Sequence, residues 1–284
     1  KYFEEENDAK KRSGRDAWRD PGPTAIRVFV GRSTDTFLGR GSFLQAVRDP
    51  PDDPRPEALR RFEEITIDVN DVVGKTIRKD TILPIKVGRR FKETDIYVVN
   101  KYCLEAVHDI QGSSPNDKIV CLNMANQKEA GGGWRRGRFA QEEGLFYRTA
   151  LSRSLEKENY PFGDFTCFIS RDVTVVRDDV TKGFRFMHED ERWKLNFITM
   201  AAFKINDPSE FTTDMAIKTR VKIESLFAIC ANEGMEHLVL SALGCGAFKN
   251  PPDYVADIFK AVILQFSGFF KTICFAIMDD PRGK

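Results

Sequence analysis

Histidine is nearly absent. The 284 residues hold three, His108, His188 and His237, and none is spaced with a cysteine as a metal-binding pair would be. The six cysteines, Cys103, Cys121, Cys167, Cys230, Cys245 and Cys274, form no CxxC pair, and most sit in apolar runs such as IVCLNM and TICFAIM. This usage argues against a zinc site and against a disulfide framework. It fits buried free thiols in a reducing compartment, nuclear or cytoplasmic. No metal and no cofactor is expected. Net charge is also lacking. With 44 basic and 43 acidic residues the balance is +1, so the chain as a whole is no polycation drawn to nucleic acid, and no direct nucleic-acid binding is expected. No apolar run approaches the ~20 residues of a membrane span. No signal peptide is visible in a sequence that opens on Lys1. Internal repeats and low-complexity blocks are missing too.

What is present is enough apolar residue, 41% of the chain, to bury a sizeable core. At ~150 residues per domain that means one large domain or two small ones. Residues 1–60 are polar, charged and proline-rich, as in AVRDPPDDPRPEALRR, and read as an N-terminal extension partly ordered by packing on the main body. A catalytic or binding domain is expected over 61–284, and a monomer.

From Phe62 the texture changes. EITIDV, TILPIKV and IYVVN read as short strands or apolar stretches, and CLEAVHDI as a helix burying Leu104, Val107 and Ile110. IVCLNMAN suits a strand buried on both faces. GLFYRTALSRSLEKE reads as one helix, with Phe146, Ala150 and Leu151 inward. FTCFIS and VTVV read as separate strands, and LNFITMAA as another. MAIKTRVKIESLFAICANEG is expected as the longest helix, lined by Met215, Ile217, Val221, Leu226, Ile229 and Cys230 and stopped by Gly234. HLVLSAL, a helix opened by Pro252 and TICFAIM complete the pattern. Strands alternating with helices predict an α/β sandwich with a mixed, partly parallel sheet, which binds ligands beyond the carboxyl ends of its strands.

Two glycine loops fall at that edge. Gly131, Gly132 and Gly133 lack Cβ atoms and let a ligand lie against backbone. Gly244, Cys245, Gly246, Ala247 and Phe248 follow VLSAL in the same way. Consecutive amides in such turns cradle anions without Lys or Arg, and a diphosphate needs amides on both sides. Neither loop is a P-loop or a GxGxxG fingerprint. After the first come Gln141, Glu142 and Glu143. Taken alone, acidic residues at a helix start serve the helix dipole, at ~0.3–1 kcal/mol each. Beside a diphosphate cradle, however, two carboxylates pointing ~100° apart suit cleavage of a glycosidic bond, which needs an acid on the leaving oxygen and a water on the freed anomeric carbon. The acid must hold its proton near neutral pH. Burial and the second carboxylate push that way, and the helix start pushes back.

The spacing GGG-x7-QEE resembles the signature of bacterial-type poly(ADP-ribose) glycohydrolases, which are macrodomain proteins. VCLNMANQKEAGGG, FISRDVTVVRDD, HLVLSALGCGAFKNPP and TICFAIMDD are similar to further segments of that family, in the right order. The resemblance implies a macrodomain-like three-layer α/β/α fold and hydrolysis of ribose–ribose O-glycosidic bonds in poly(ADP-ribose), releasing ADP-ribose. It implies Glu143 as general acid and then base, Glu142 orienting ribose hydroxyls, Gln141 fixing the loop and Asn123 near the terminal ribose. Gly131 to Gly133 would flank the diphosphate on one side and Gly244 to Phe248 on the other, with Phe248 packing on ribose or base. The partner would be poly(ADP-ribose) or an ADP-ribosylated protein. Two alternatives stay open: removal of single ADP-ribose units from proteins, and binding of ADP-ribose without catalysis. Lys128, Glu129 and the basic WRRGR segment, with Arg135, Arg136 and Arg138, depart from the family pattern.

Overall fold

Seven strands form one mixed sheet in the computed structural model, which describes residues 23–48, 59–68, 75–79, 84–155, 158 and 160–278. Residues 1–22 and 49–58 of the expected extension, and 81–83 of TILPIKV, lie outside the described residues. The first element is a helix, α1 (Pro23–Arg40). An antiparallel ribbon of β1 (Ser42–Arg48) and β2 (Leu59–Thr66) follows. Then come β3 (Lys75–Lys79), β4 (Asp95–Val99), α2 (Cys103–Ser113), β5 (Ile119–Met124), α3 (Gln141–Arg148), α4 (Leu151–Leu155), β6 (Cys167–Val175), β7 (Trp193–Met200), α5 (Thr213–Asn232), β8 (His237–Leu240), α6 (Pro252–Gln265) and β9 (Thr272–Ala276). The sheet order is β3-β6-β7-β5-β8-β9-β4. β7, β5, β8, β9 and β4 run parallel, and β3 and β6 pair antiparallel at one side.

Two apolar layers sandwich the sheet. One joins α1, α2, α3 and α4 to one face through Phe37, Leu104, Phe146, Leu151 and Phe197. The other joins α5 and α6 to the opposite face through Leu226, Phe227, Val262 and Ile198. This is the three-layer α/β/α architecture. β5 lies at its centre with Ile119 to Asn123 all buried, as a strand covered on both faces requires.

Four expectations change in detail. VFVGRSTDTFLG, which has no clean pattern in sequence, is the body of α1. Val30, Phe37 and Leu38 are buried on it with the i, i+7, i+8 spacing of a helix face. Gly31 and Gly39 within it each cost ~1 kcal/mol of helix propensity and mask the signal. Second, GLFYRTALSRSLEKE is not one helix. Thr149 breaks it in an extended conformation, its Oγ1 donates to Leu145 O at 2.9 Å, and Ala150 N donates to Thr174 O at 2.9 Å. The chain thus pairs briefly with β6 between α3 and α4. Third, FTCFIS and VTVV belong to a single strand, β6, interrupted by a bulge at Arg171–Asp172, where Asp172 has φ 57°. Fourth, the buried side of α5 begins elsewhere. Ile217 is exposed while Lys222 and Ile223 are buried. Leu226, Ile229 and Cys230 are inward as expected, and Gly234 takes φ 74° after the helix. The described part of TILPIKV, from Pro84, has no regular structure, because Pro84 removes a ladder donor.

Candidate active site

The parallel strands β5, β8 and β7 point their carboxyl ends the same way, so both glycine loops leave the sheet at one edge. β8 pairs with β5 only as far as Cys121. Beyond that point Gln141 takes over. Its side-chain amide donates to Leu122 O and accepts from Met124 N at 2.9 Å, standing where a strand residue opposite Asn123 would stand. The side chain that opens α3 is thereby clamped to the end of the central strand, and Glu142 and Glu143 follow it into the site.

Both glutamates are buried, with Glu142 4% and Glu143 8% exposed. Glu142 Oε2 accepts from Asn126 N at 2.7 Å, and its Oε1 accepts from Gly131 N at 3.2 Å and from Asn123 Nδ2 at 3.5 Å. Glu143 Oε1 accepts from Gly133 N at 3.0 Å and its Oε2 from Ala140 N at 2.9 Å. The last bond caps the first turn of α3. Burial pushes the Glu142 carboxyl up to about 8, helped by the charge of Glu143 and opposed by its own three N–H donors. The carboxyl that burial holds protonated near neutral pH is therefore Glu142, the neighbour of the residue that the resemblance names as general acid. Asn123 is fully buried. Its Nδ2 donates to Thr199 Oγ1 at 3.3 Å, and its Oδ1 has no partner.

Gly131 and Gly132 have φ 75° and 53°, a region that disfavours side chains. A Cβ on Gly131 would lie 2.3 Å from Phe146 Cδ1. One on Gly132 would lie 2.9 Å from Glu143 Oε1 and 3.4 Å from Glu142 Oε2, so this glycine touches both carboxylates. All three amides of the triplet are engaged: Gly131 by Glu142, Gly133 by Glu143, and Gly132 by Glu129 O at 3.0 Å. The first loop thus uses its amides to hold the carboxylates. The second loop does the reverse. The amides of Gly246, Ala247 and Phe248 have no acceptor among the described residues. A Cβ on Gly246 would meet nothing within 4 Å. Gly244, at φ 79°, presses on Ala202 and Asn250. Cys245 and Phe248 are half-buried and pack on the α5–α6 core, while Ala247 is exposed.

Several supports carry no signal in the sequence reading. Asn250 Nδ2 donates to Phe203 O at 2.7 Å and to Phe248 O at 3.1 Å, tying the second loop to the end of β7. Its place just before Pro251 in KNPP is the only hint. Trp134 is fully buried against Phe146 and Tyr147, and the Tyr147 hydroxyl lies between Trp134 O at 2.9 Å and Arg138 O at 2.6 Å. α1 seals this loop from outside. Arg27 Nε donates to Gly137 O at 2.8 Å, Thr34 Oγ1 to Tyr147 O at 2.9 Å, and a Cβ on Gly31 would lie 3.2 Å from Trp134 O. Among the described residues no group of His, Cys, Asp and Glu could hold a metal ion, and no helix is long and apolar enough to cross a membrane.

Comparison with known proteins agrees with this geometry. Residues 61–177 match the family described as microbial-type PARG, catalytic domain. The poly(ADP-ribose) glycohydrolase of Thermomonospora curvata superposes with a TM-score of 0.72 at 26% identity, covering 90% of this chain and 95% of that one. The same enzyme bound to the inhibitor ADP-HPD gives 0.68 at 25% identity, with the same coverage. The Deinococcus radiodurans glycohydrolase in complex with ADP-ribose gives 0.58 at 25% identity over 68% of this chain and 82% of that one. No curated protein matches the chain by sequence. The matched segment contains the whole glycine–glutamate signature, and the fold around it is shared nearly end to end: residues 61–177 resemble the microbial-type PARG catalytic domain, and the chain has the fold of the bacterial poly(ADP-ribose) glycohydrolases.

Proposed function

We propose that this protein hydrolyses the ribose–ribose O-glycosidic bonds of poly(ADP-ribose), releasing ADP-ribose. The observation that carries the reading is the pair of buried carboxylates held by the amides of Gly131 and Gly133 at the carboxyl edge of the sheet. The terminal ADP-ribose lies with its diphosphate on the unengaged amides of Gly246 to Phe248 and its terminal ribose over Gly132. Phe248 packs on ribose or base, and Asn123 and Glu142 orient the ribose hydroxyls. Glu143 gives its proton to the leaving ribose oxygen as the anomeric bond opens to an oxocarbenium-like state, then takes a proton from the water that attacks the anomeric carbon. Glu142 keeps its proton near neutral pH and can donate it in a hydrogen bond to a ribose oxygen, while Glu143 carries out the proton transfers. Gln141 and Gly244 act at one remove, the first fixing Glu142 and Glu143 to β5, the second allowing the second loop to turn. The expected partners are the polymer or an ADP-ribosylated protein. The protein acts as a monomer in a reducing compartment, nuclear or cytoplasmic, without direct nucleic-acid binding.

The test is incubation with auto-modified polymer and, in parallel, with mono-ADP-ribosylated protein, followed by chromatography of the products. Release of free ADP-ribose from polymer supports the reading. Release only from the mono-modified protein identifies a mono-ADP-ribosyl-protein hydrolase, binding without release a reader, and AMP a phosphohydrolase.

A further inference from the structure

A diphosphate held between two loops needs donors from both, yet the amides of the first loop are all engaged. Donors on that side must come from side chains, and WRRGR supplies three cations. Two are already neutralised. Arg135 pairs with Asp35 at 3.4 Å and stacks over Trp134 at 4.6 Å. Arg136 pairs with Glu129 at 3.0 Å and donates to Gly132 O at 3.3 Å. Arg138 is exposed, and its guanidinium has no hydrogen bond or ion pair among the described residues.

Its position is nonetheless fixed. Arg138 N donates to Gly133 O at 3.2 Å, and its carbonyl accepts from the Tyr147 hydroxyl at 2.6 Å. The aliphatic stem lies on Gly133, where a Cβ would come within 2.4 Å of Arg138 Cδ and 2.7 Å of Cγ. Gly133 itself has φ −98°, which any residue adopts, so the glycine is required there by the arginine stem and not by backbone conformation. The next atom along from that contact, Gly133 N, holds Glu143. A cation that no described residue pairs thus has its stem on Gly133, whose own N–H holds the Glu143 carboxylate. An arginine fork suits phosphate oxygens better than any other side chain.

We infer that Arg138 binds a substrate pyrophosphate, supplying from the first loop the donors that its amides do not. The inference rests on the poly(ADP-ribose) reading above. The pyrophosphate has two sources: the ADP-ribose unit in the site, or the next unit along the polymer.

The experiment compares wild type with R138Q, R138K, R135Q and R136Q. It measures ADP-ribose affinity by calorimetry at low and moderate salt, and kcat and KM on auto-modified polymer. R138Q is expected to weaken ADP-ribose binding at least fivefold, with a shallower salt dependence. R138K, which keeps the charge but loses the fork, should fall between. R135Q and R136Q should stay within about twofold. If R138Q leaves ADP-ribose affinity intact but raises polymer KM at least fivefold at unchanged kcat, the pyrophosphate is that of the neighbouring unit. If R138Q changes neither quantity by more than twofold, or if R135Q and R136Q lose as much as it does, Arg138 has no such role. A wild-type protein that neither binds ADP-ribose nor shortens polymer instead overturns the functional reading itself.

Discussion

The two glycine loops look alike in sequence and are opposite in construction. In the first, Gly131 to Gly133, every amide is bonded, two of them to the carboxylates of Glu142 and Glu143, and the loop is wedged between α1 and the Trp134–Tyr147 pair. In the second, Gly246 to Phe248 present three successive amides that no described residue accepts. One loop is an internal brace whose glycines make room for Phe146, the two carboxylates and the Arg138 stem. The other turns its amides outward, the arrangement by which a nest takes an anion. Glycine content therefore does not say whether a loop binds a ligand. Where its N–H groups go does.

The largest expected effect comes from cutting the brace at its catalytic end. Glu143→Gln removes the group proposed to donate and accept the proton, and general acid–base catalysis contributes ~10²–10⁴-fold. Polymer hydrolysis should fall by about that factor, while ADP-ribose affinity, measured by calorimetry, stays within about tenfold. A variant that shortens polymer at the wild-type rate would remove Glu143 from the mechanism.

Glu142 gives a thermodynamic handle on the same brace. Its folded-state pKa, about 8, lies above the usual 4.5. Below the usual value the carboxyl is protonated in both states and does nothing. As pH rises beyond it the unfolded chain ionises and the folded chain does not, so folding is progressively opposed until the folded group also titrates near 8. The full penalty is roughly 5 kcal/mol, at ~1.4 kcal/mol per pKa unit. Glu142→Gln cannot ionise and escapes it. Thermal melts from pH 5 to pH 9 should show the midpoint of the variant rising relative to wild type up to about pH 8 and levelling off above it. A constant offset would mean that Glu142 titrates normally in the folded protein.

Gly131→Ala tests the packing of the brace. The new methyl would meet Phe146 at 2.3 Å in a backbone conformation, φ 75°, that alanine avoids. Overpacking costs ~1–3 kcal/mol and the strained backbone ~1–2 kcal/mol. A loss of about 2–4 kcal/mol in denaturant titration is expected, together with reduced hydrolysis, since Gly131 N also holds Glu142. Stability equal to wild type would show that Phe146 gives way.

How far the sequence could be read follows from the same distinction. The buried strands, the alternation with helices and the QEE position were legible because they rest on apolar periodicity and on residue types with few uses. The engagement of the Gly131 and Gly133 amides was not, because it depends on where the side chains of residues 142 and 143 fold back. The role of α1 was hidden for a different reason. Its inward face carries Ser33 and Thr34, which bond the buried Arg177 at 2.6 Å and 2.8 Å, and its Gly31 is small so that Trp134 can approach. A helix whose few buried apolar residues, Val30, Phe37 and Leu38, are interspersed with polar and glycine contacts leaves only a weak stripe to detect. The raised pKa expected of a general acid falls on Glu142 and not on Glu143, to which the resemblance gives that role, because burial acts most strongly there.

The smallest structural change should separate the loops most cleanly. Gly246→Ala adds a methyl that meets nothing within 4 Å, so stability should stay within ~0.5 kcal/mol of wild type, as for a surface substitution away from special features. The N–H groups remain. If the open face of this loop is where the diphosphate lies, the methyl occupies ligand space, and ADP-ribose affinity should fall about five- to tenfold with no change in the melting midpoint. Gly131→Ala loses stability first and binding as a consequence; Gly246→Ala should lose binding alone. An unchanged affinity in Gly246→Ala would leave the three amides without a ligand, and with it the contrast between brace and nest would fail.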